Sequence, residues 1–165
     1  RFTADACPDR HLIAAEILGA DISRAKPEDA GKNLSDRLVA IMQRLKVPNG
    51  YRELAVLTCR YHQVVHRAAE LRPATVLKLL ENTDAFRRPD RFSELLLACE
   101  SDARGRTGLE SRPYPQRDYL TRARDAAASA TLTDTDRVGL TGKAIGEKIR
   151  EKRLAALSSV KSSIA

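Results

Sequence analysis

The sequence predicts an all-α fold, and two observations support this. Apolar side chains recur at three- and four-residue spacing through most of the 165 residues, which is the period of one face of an α-helix. No segment has a convincing strand pattern, and the nearest one, Val64-Val65, lies inside a helical pattern. We therefore predict roughly six to eight helices and no β-sheet.

The first two helices are predicted from apolar spacing and from one break. A first helix begins near Asn33 or Ser35, either of which is a suitable N-cap, and Pro48-Asn49 ends it. Its apolar face is predicted to contain Leu34, Leu38, Ile41, Met42 and Leu45. A second helix begins at the same break, and its broad apolar face is predicted to contain Leu54, Leu57, Tyr61, Val64 and Val65.

Two prolines each mark the first turn of a further helix, where the missing backbone N–H of proline costs nothing. Pro73 starts the third helix and Pro89 starts the fourth. Their predicted buried side chains are Val76, Leu77 and Leu80, and then Phe92, Leu95, Leu96 and Cys99. The segment from Gly105 to Pro115 holds two glycines and two prolines, so we predict a loop there.

The last third of the chain is predicted to contain two more helices. The fifth buries Tyr119, Leu120 and Ala123 and fades into an alanine-rich stretch. Residues 131–137 are predicted to form a linker or a short helical turn. A final basic helix begins at Thr141-Gly142. Its apolar positions are Ile145, Ile149, Leu154 and Leu157. Before Asn33 the helical signal is weaker, with one helix predicted through Leu12, Ile13, Glu16 and Ile17 and ended by Gly19.

The composition favours an acidic partner and excludes several protein classes. Lys and Arg number 29 against 22 Asp and Glu, so the formal net charge is +7, which favours a polyanion such as RNA. The hydrophobic content of 42% is too high for a disordered chain. No apolar run approaches the roughly 18 residues of a membrane span, and the first residues lack the pattern of a signal peptide. We therefore expect a cytoplasmic location and no membrane partner.

The cysteines and histidines are few. Cys7, Cys59 and Cys99 form neither an even set nor a CxxC motif, so we interpret them as buried reduced thiols rather than as disulfides or zinc ligands. With His11, His62 and His66 as the three histidines, the raw material for a metal site is limited. A homo-oligomer is compatible with the composition.

Several segments, in order along the chain, resemble one known family. They are residues 44–49 (RLKVPN), 52–57 (RELAVL), 72–80 (RPATVLKLL), 84–89 (DAFRRP), 98–106 (ACESDARGR), 114–116 (YPQ), 146–150 (GEKIR) and 153–156 (RLAA). Together they are similar to the C-terminal half of the bacterial multifunctional CCA proteins, the tRNA nucleotidyltransferases that add CCA to tRNA 3′ ends. The resemblance covers roughly residues 44 to 160.

The resemblance implies a helical HD-type domain behind a separate nucleotidyltransferase head. In that family the HD domain is a metal-dependent phosphatase, 2′-nucleotidase and 2′,3′-cyclic phosphodiesterase. The resemblance therefore implies Mg²⁺ or Ni²⁺ as a cofactor only if the HD site survives in this chain. Residues 1–32 would form a degenerate N-terminal part of this domain, 33–130 the HD-like domain and 131–165 a basic helical tail. No segment corresponds to the head, so we expect this chain by itself not to add nucleotides.

The HD metal site is predicted to be degenerate. Cys7-Pro8-Asp9 stands where the family has Cys-His-Asp, and Tyr61-His62-Gln63 replaces its aromatic-His-Asp. The candidate metal ligands that survive are Asp9, His62, His66 and Asp102, with Glu28 as a weaker addition. The alternative is structural: one histidine in the core or an interface and one in solvent, with Asp102 at a helix end or paired with Arg104.

Basic residues in two regions are candidates for contact with RNA phosphates. Arg104, Arg106 and Arg112 lie in or beside the glycine- and proline-rich loop, where guanidinium groups can bind phosphate bidentately. Lys143, Lys148, Arg150 and Arg153 lie on the last helix. Tyr114 and Tyr119 offer rings on which a base can stack. The alternatives are pairing of Arg104 and Arg106 with Glu100 or Asp102, and a merely solvated basic helix face.

Three functions follow in order of preference. The first is a tRNA-contacting region of a CCA-adding enzyme that holds the tRNA backbone. The second is a residual metal-dependent phosphohydrolase, and the third is a helical interaction module that has lost both catalysis and RNA.

Overall fold

A computed structural model of the chain describes residues 32–105, 108, 111–137, 139 and 141–163. These residues contain helices and no strand, so the all-α prediction is confirmed. The elements are α1 (Lys32–Arg44), α2 (Asn49–His66), a 3₁₀ helix (Ala68–Glu70), α3 (Pro73–Asn82), α4 (Pro89–Arg104), α5 (Pro115–Ser129), α6 (Asp134–Arg137) and α7 (Gly142–Ser162). The helix predicted through Leu12 and Ile17 lies outside the described residues.

Local chemistry explains where several helices begin and end. Pro73, Pro89 and Pro115 are each the first residue of a helix, as expected for a residue without a backbone N–H. At two C-terminal ends, Lys46 and Asp84 have positive φ angles of 53° and 54°. The amide of the next residue then reaches back five positions, from Val47 to Met42 at 2.9 Å and from Ala85 to Leu80 at 2.9 Å, which is the closing bond of a Schellman motif.

The described chain forms two compact units. The first comprises the described residues of 32–66 and 90–114, and the second comprises those of 67–89 and 115–163. In the first unit α1 packs against α2. Their contact is a cluster of Leu38, Met42, Ala55 and Cys59, with Val47 and Val56 against it. In the second unit α7 packs against both α5 and α3.

Most of the predicted apolar positions are buried, several are half-buried and one is exposed. The predicted apolar positions of α3 and α4, together with Tyr119, Leu120, Ala123 and Leu157, are buried. Leu45 was predicted in the α1 core but is 62% exposed, which corrects that prediction. The physical reason is that α1 ends at Arg44 and the chain turns at Lys46, so Leu45 leaves the apolar face. No described helix is long and apolar enough to cross a membrane.

Replacing Leu77 by alanine is expected to lower the free energy of unfolding by about 2–5 kcal/mol, because its side chain is fully buried and its loss leaves a cavity. Leu45→Ala is the matched control, since the same atoms are removed from a largely exposed position. We expect that change to stay within about 0.5 kcal/mol. Urea denaturation followed by far-UV circular dichroism measures both, and similar losses in the two variants would contradict the assigned burial.

Candidate functional site

His66, the last residue of α2, bonds to two side chains of its own unit. Its Nε2 lies 3.0 Å from Oδ2 of Asp102, in the last turn of α4. Its Nδ1 lies 2.8 Å from the hydroxyl of Tyr114, just before α5. In the neutral tautomer with hydrogen on Nε2, the imidazole donates to the carboxylate and accepts from the phenol. One side chain thereby ties together the ends of two helices and the residue that leads into a third.

The surroundings of this cluster keep its weak acids protonated. Burial raises the pKa of Tyr114, and the charges of Cys99, Asp102 and Glu100 raise it further. Burial, with Asp102 as a second cause, also raises the pKa of the Cys99 thiol. Tyr114 therefore remains a neutral hydrogen-bond donor at physiological pH, and Cys99 is not a thiolate nucleophile there.

His62 lies on the same face of α2 but serves its own helix. Its Nδ1 lies 3.1 Å from the carbonyl oxygen of Thr58 and 3.0 Å from that of Cys59. Its ring packs edge-on against the ring of His66, with 5.9 Å between the centroids. Residues four apart share a helix face, as this contact shows, and of the two histidines His66 is the one bonded to Asp102.

The described donors do not fit a divalent metal ion. Both ring nitrogens of His66 are already bonded. Nδ1 of His62 faces its own backbone, so Nε2 is the one atom that His62 offers to a metal. Within the described part of the chain, no group of three or more His, Cys, Asp and Glu side chains is placed to hold a metal. Asp9 and Glu28, the other candidate ligands, lie outside the described residues. We therefore assign no chemical step in this cluster to a metal.

Arg104 and Gly105 both make contacts within the chain at the C-terminal end of α4. Nη1 of Arg104 lies 3.0 Å from Oε1 of Glu100, one helical turn earlier. The Gly105 amide donates to the carbonyl of Ser101 at 2.8 Å, and a Cβ on Gly105 would lie only 3.0 Å from that oxygen. The structure thus shows the intramolecular alternative for Arg104. Arg112 is exposed in the following segment, and Arg106 lies outside the described residues.

Several cations of α7 bind groups within the second unit. Nη1 of Arg150 reaches both carboxylate oxygens of Glu81, at 2.9 and 3.0 Å, and the guanidinium of Arg153 lies 4.2 Å from the centre of the Phe86 ring. Lys161 donates to the carbonyl of Leu71 at 2.7 Å. Two predicted RNA contacts, Arg150 and Arg153, therefore have internal partners.

Lys152 of α7 pairs with Asp136 of α6, a partner the sequence did not indicate. The side chain of Asp136 also accepts a hydrogen bond from the Thr133 hydroxyl at 2.7 Å. The hydrogen bond from Lys152, followed by those from Thr133, lowers the pKa of Asp136. Asp136 therefore stays ionised, and α6 is held against α7 by charge.

Lys143 and Lys148 are exposed cations of α7 whose ion pairs lie along their own helix. Their side chains are 91% and 46% exposed. Lys143 lies 4.0 Å from Glu147, and Lys148 lies 3.1 Å from Glu151. Pairs of this kind along one helix contribute only about 0.3–0.5 kcal/mol. Both ammonium groups can therefore exchange their carboxylate for a phosphate at little cost.

Comparison with known proteins finds similarity to curated multifunctional CCA proteins. The chain is 54% identical over 126 residues to the one of Thioalkalivibrio sulfidiphilus, an alignment covering 76% of this chain and 31% of that protein. It is 53% identical over 120 residues to the one of Nitrosococcus oceani, with 73% and 30% covered. It is 46% identical over 168 residues to the one of Xanthomonas euvesicatoria, with 97% and 41% covered. The resemblance derived from the sequence motifs is thereby confirmed.

The chain spans less than half the length of these curated relatives. No protein-family model matches it, and no solved structure does.

Replacing Asp102 by alanine is expected to lower the free energy of unfolding by about 1–3 kcal/mol, because the Nε2–H of His66 loses its acceptor in a mostly buried position. Asp118→Ala is the control, since that carboxylate is 71% exposed and pairs with Arg122 one turn away on the same helix. We expect the control to change stability by less than about 0.5 kcal/mol. Equal effects, measured by urea denaturation at neutral pH, would contradict a structural role for the His66–Asp102 pair.

Replacing Tyr114 by phenylalanine is expected to flatten the loss of stability at alkaline pH. The unfolded phenol ionises near its ordinary pKa of 10.0, whereas the folded one has a raised pKa. Above pH 10 the folded state therefore holds a proton that the unfolded state has lost, so stability falls as pH rises, by up to about 1.4 kcal/mol per pH unit.

The phenylalanine variant lacks this proton and also loses about 0.5–1.5 kcal/mol at neutral pH with its hydrogen bond to His66. Urea denaturation of both proteins at several pH values between neutral and strongly alkaline measures the two slopes. Parallel slopes above pH 10 would show that Tyr114 titrates normally.

Proposed function

We propose that this chain, a homologue of one part of the multifunctional CCA proteins, is a helical region that holds the backbone of tRNA in the cytoplasm during 3′-end processing. The observation that carries the proposal is the cationic surplus: a net charge of +7 in a chain whose relatives bear the name of CCA proteins. Nucleotide addition would belong to another part of the whole protein.

The proposed contacts are electrostatic and independent of sequence. Phosphates lie along the whole RNA backbone, and a lysine ammonium binds them as a point charge without reading a base. Lys143 and Lys148 suit this role because their ion pairs among the described residues are weak ones along the same helix. Arg150 and Arg153 support it indirectly, since their contacts with Glu81 and Phe86 hold α7 in place.

The HD-like organisation is part of the same proposal. Residues 33–130 would form the HD-like helical domain and 131–165 the basic tail, with residues 1–32 completing the degenerate site. Both ring nitrogens of His66 are bonded to side chains of the same unit. This supports a structural role here for a histidine of the kind that the relatives are expected to use in hydrolysis. We therefore propose that this region contributes binding and positioning.

The double variant Lys143→Gln, Lys148→Gln is expected to weaken tRNA binding by about 10-fold at moderate salt, because two phosphate contacts are lost. The slope of log K against log salt is expected to become shallower by about 1.4–1.8, since fewer counterions are released. Fluorescence anisotropy with end-labelled tRNA over a range of KCl concentrations gives both quantities.

The matched control is Arg67→Gln, Arg87→Gln, which removes the same charge from two arginines of the second unit whose side chains are 72% and 85% exposed. We expect less than about a threefold change for it, since long-range attraction between exposed charges is screened by salt. Equal losses in both double variants would mean that net charge alone governs binding. Absence of tRNA binding by the unmodified chain would refute the proposed function.

A further inference from the structure

An open groove of about 450 Å³ lies in the first unit, formed by α1, α2 and α4. Its lining has three parts. The apolar part consists of Val39, Val56 and Leu57; the amides are Gln43 and Asn49; and the charged side chains are Arg52, Glu53, Arg60 and Arg91. A volume of this size is in the range of small-molecule and cofactor sites, so it suits a single nucleotide rather than an RNA duplex.

The charged side chains that line the groove have a net positive charge. Arg91 lies 3.7 Å from the carboxylate of Glu53, so the acidic side chain of the lining has a cationic neighbour. Arg52 contacts the side-chain oxygen of Asn49, a neutral group. Arg60 is exposed. The lining therefore holds two guanidinium groups in excess over its carboxylate, and each guanidinium group can bind a phosphate bidentately.

The helix that carries these arginines adds to the positive potential. Asn49 and Arg52 belong to the first turn of α2, an 18-residue helix, and the N-terminal end of a helix dipole is positive. Arg52, Val56 and Arg60 follow at intervals of four residues, so they lie on one face of α2. That face places an apolar side chain between two cations, which suits one nucleotide with its charged phosphate and its less polar ribose and base.

We infer that this groove binds one phosphate-bearing nucleotide of a single-stranded segment of RNA. The phosphate lies between Arg52 and Arg60, and the ribose or base edge lies against Val56 and Leu57. The inference deepens the proposed function and rests on it for the biological identity of the RNA, although the groove lies in a different unit from Lys143 and Lys148.

The test uses a fluorescein-labelled, single-stranded RNA of about 12 nucleotides and, separately, labelled tRNA. Arg52→Gln combined with Arg60→Gln is expected to weaken binding of the short RNA at least fivefold. The control Arg67→Gln, Arg87→Gln is expected to change it less than twofold. Circular dichroism and thermal melting verify that each variant is folded.

A second readout locates the site without substitution. Titration of the short RNA into methyl-labelled protein is expected to shift the Val56 and Leu57 methyl resonances and to leave Leu157, buried in the second unit, unchanged. Unmoved Val56 and Leu57 methyls, or wild-type affinity in the Arg52/Arg60 variant, would overturn the inference. Displacement of the RNA by polyglutamate of similar length at similar concentration would also overturn it, since the groove would then accept any polyanion.

The outcomes separate this inference from the proposed function. If the lysine variant loses tRNA affinity while the Arg52/Arg60 variant binds both RNAs normally, the groove fails and the proposed function stands. If the groove variant loses the short RNA while the unmodified chain does not bind tRNA, the groove stands as an RNA site and the proposed function fails.

Discussion

The two hydrogen bonds of the His66 imidazole hold the candidate site of the first unit together. A neutral imidazole has one donor and one acceptor, and here Asp102 and Tyr114 take both. A metal ion at either nitrogen would have to break one of these bonds in a partly buried place, where a lost partner costs about 1–3 kcal/mol. The residue types expected in a hydrolytic centre thus serve to join the ends of α2 and α4 to Tyr114.

The partners of the basic residues in the second unit indicate which of them stabilise the fold and which are available to bind RNA. Arg150 and Arg153 bind a carboxylate and an aromatic ring of distant segments, so removing either would disturb the placement of α7 as well as its charge. Lys143 and Lys148 have partners on their own helix. A binding defect in an Arg150 or Arg153 variant would therefore be ambiguous, whereas one in a Lys143 or Lys148 variant would report on the contact itself.

The sequence predicts the helices well because their signals are local. Pro73 and Pro89 mark helix starts through the chemistry of one residue, and burial of Leu77 or Leu120 follows from spacing within a few turns. Leu45 was misplaced because the left-handed conformation of Lys46, a residue with no strong preference for it, ends α1 early. Apolar periodicity continues one residue past the point where the backbone stops being helical.

The site was harder to predict because its contacts are distant in sequence. Asp102 lies 36 residues from His66, Tyr114 lies 48 from it, and Glu81 lies 69 from Arg150. Spacing carries no information about such pairs. The four-residue interval of Arg52, Val56 and Arg60 is visible in the sequence but gave no prediction, because only the neighbouring α1 and α4 show that this face lines a groove.

The Lys143/Lys148 pair and the Arg52/Arg60 pair form two proposed cationic surfaces on different units. The affinity of the chain for RNA then depends on both surfaces together. When one RNA occupies two weak sites, the second binding step is intramolecular, and overall affinity exceeds that of either site through effective concentration. Removing one surface then leaves the affinity of the other rather than none. If the affinity losses of the Lys143/Lys148 variant and of the Arg52/Arg60 variant multiply when the substitutions are combined, one RNA spans both surfaces. Independent contributions to the free energy of binding of one RNA add, so the fold losses in affinity multiply.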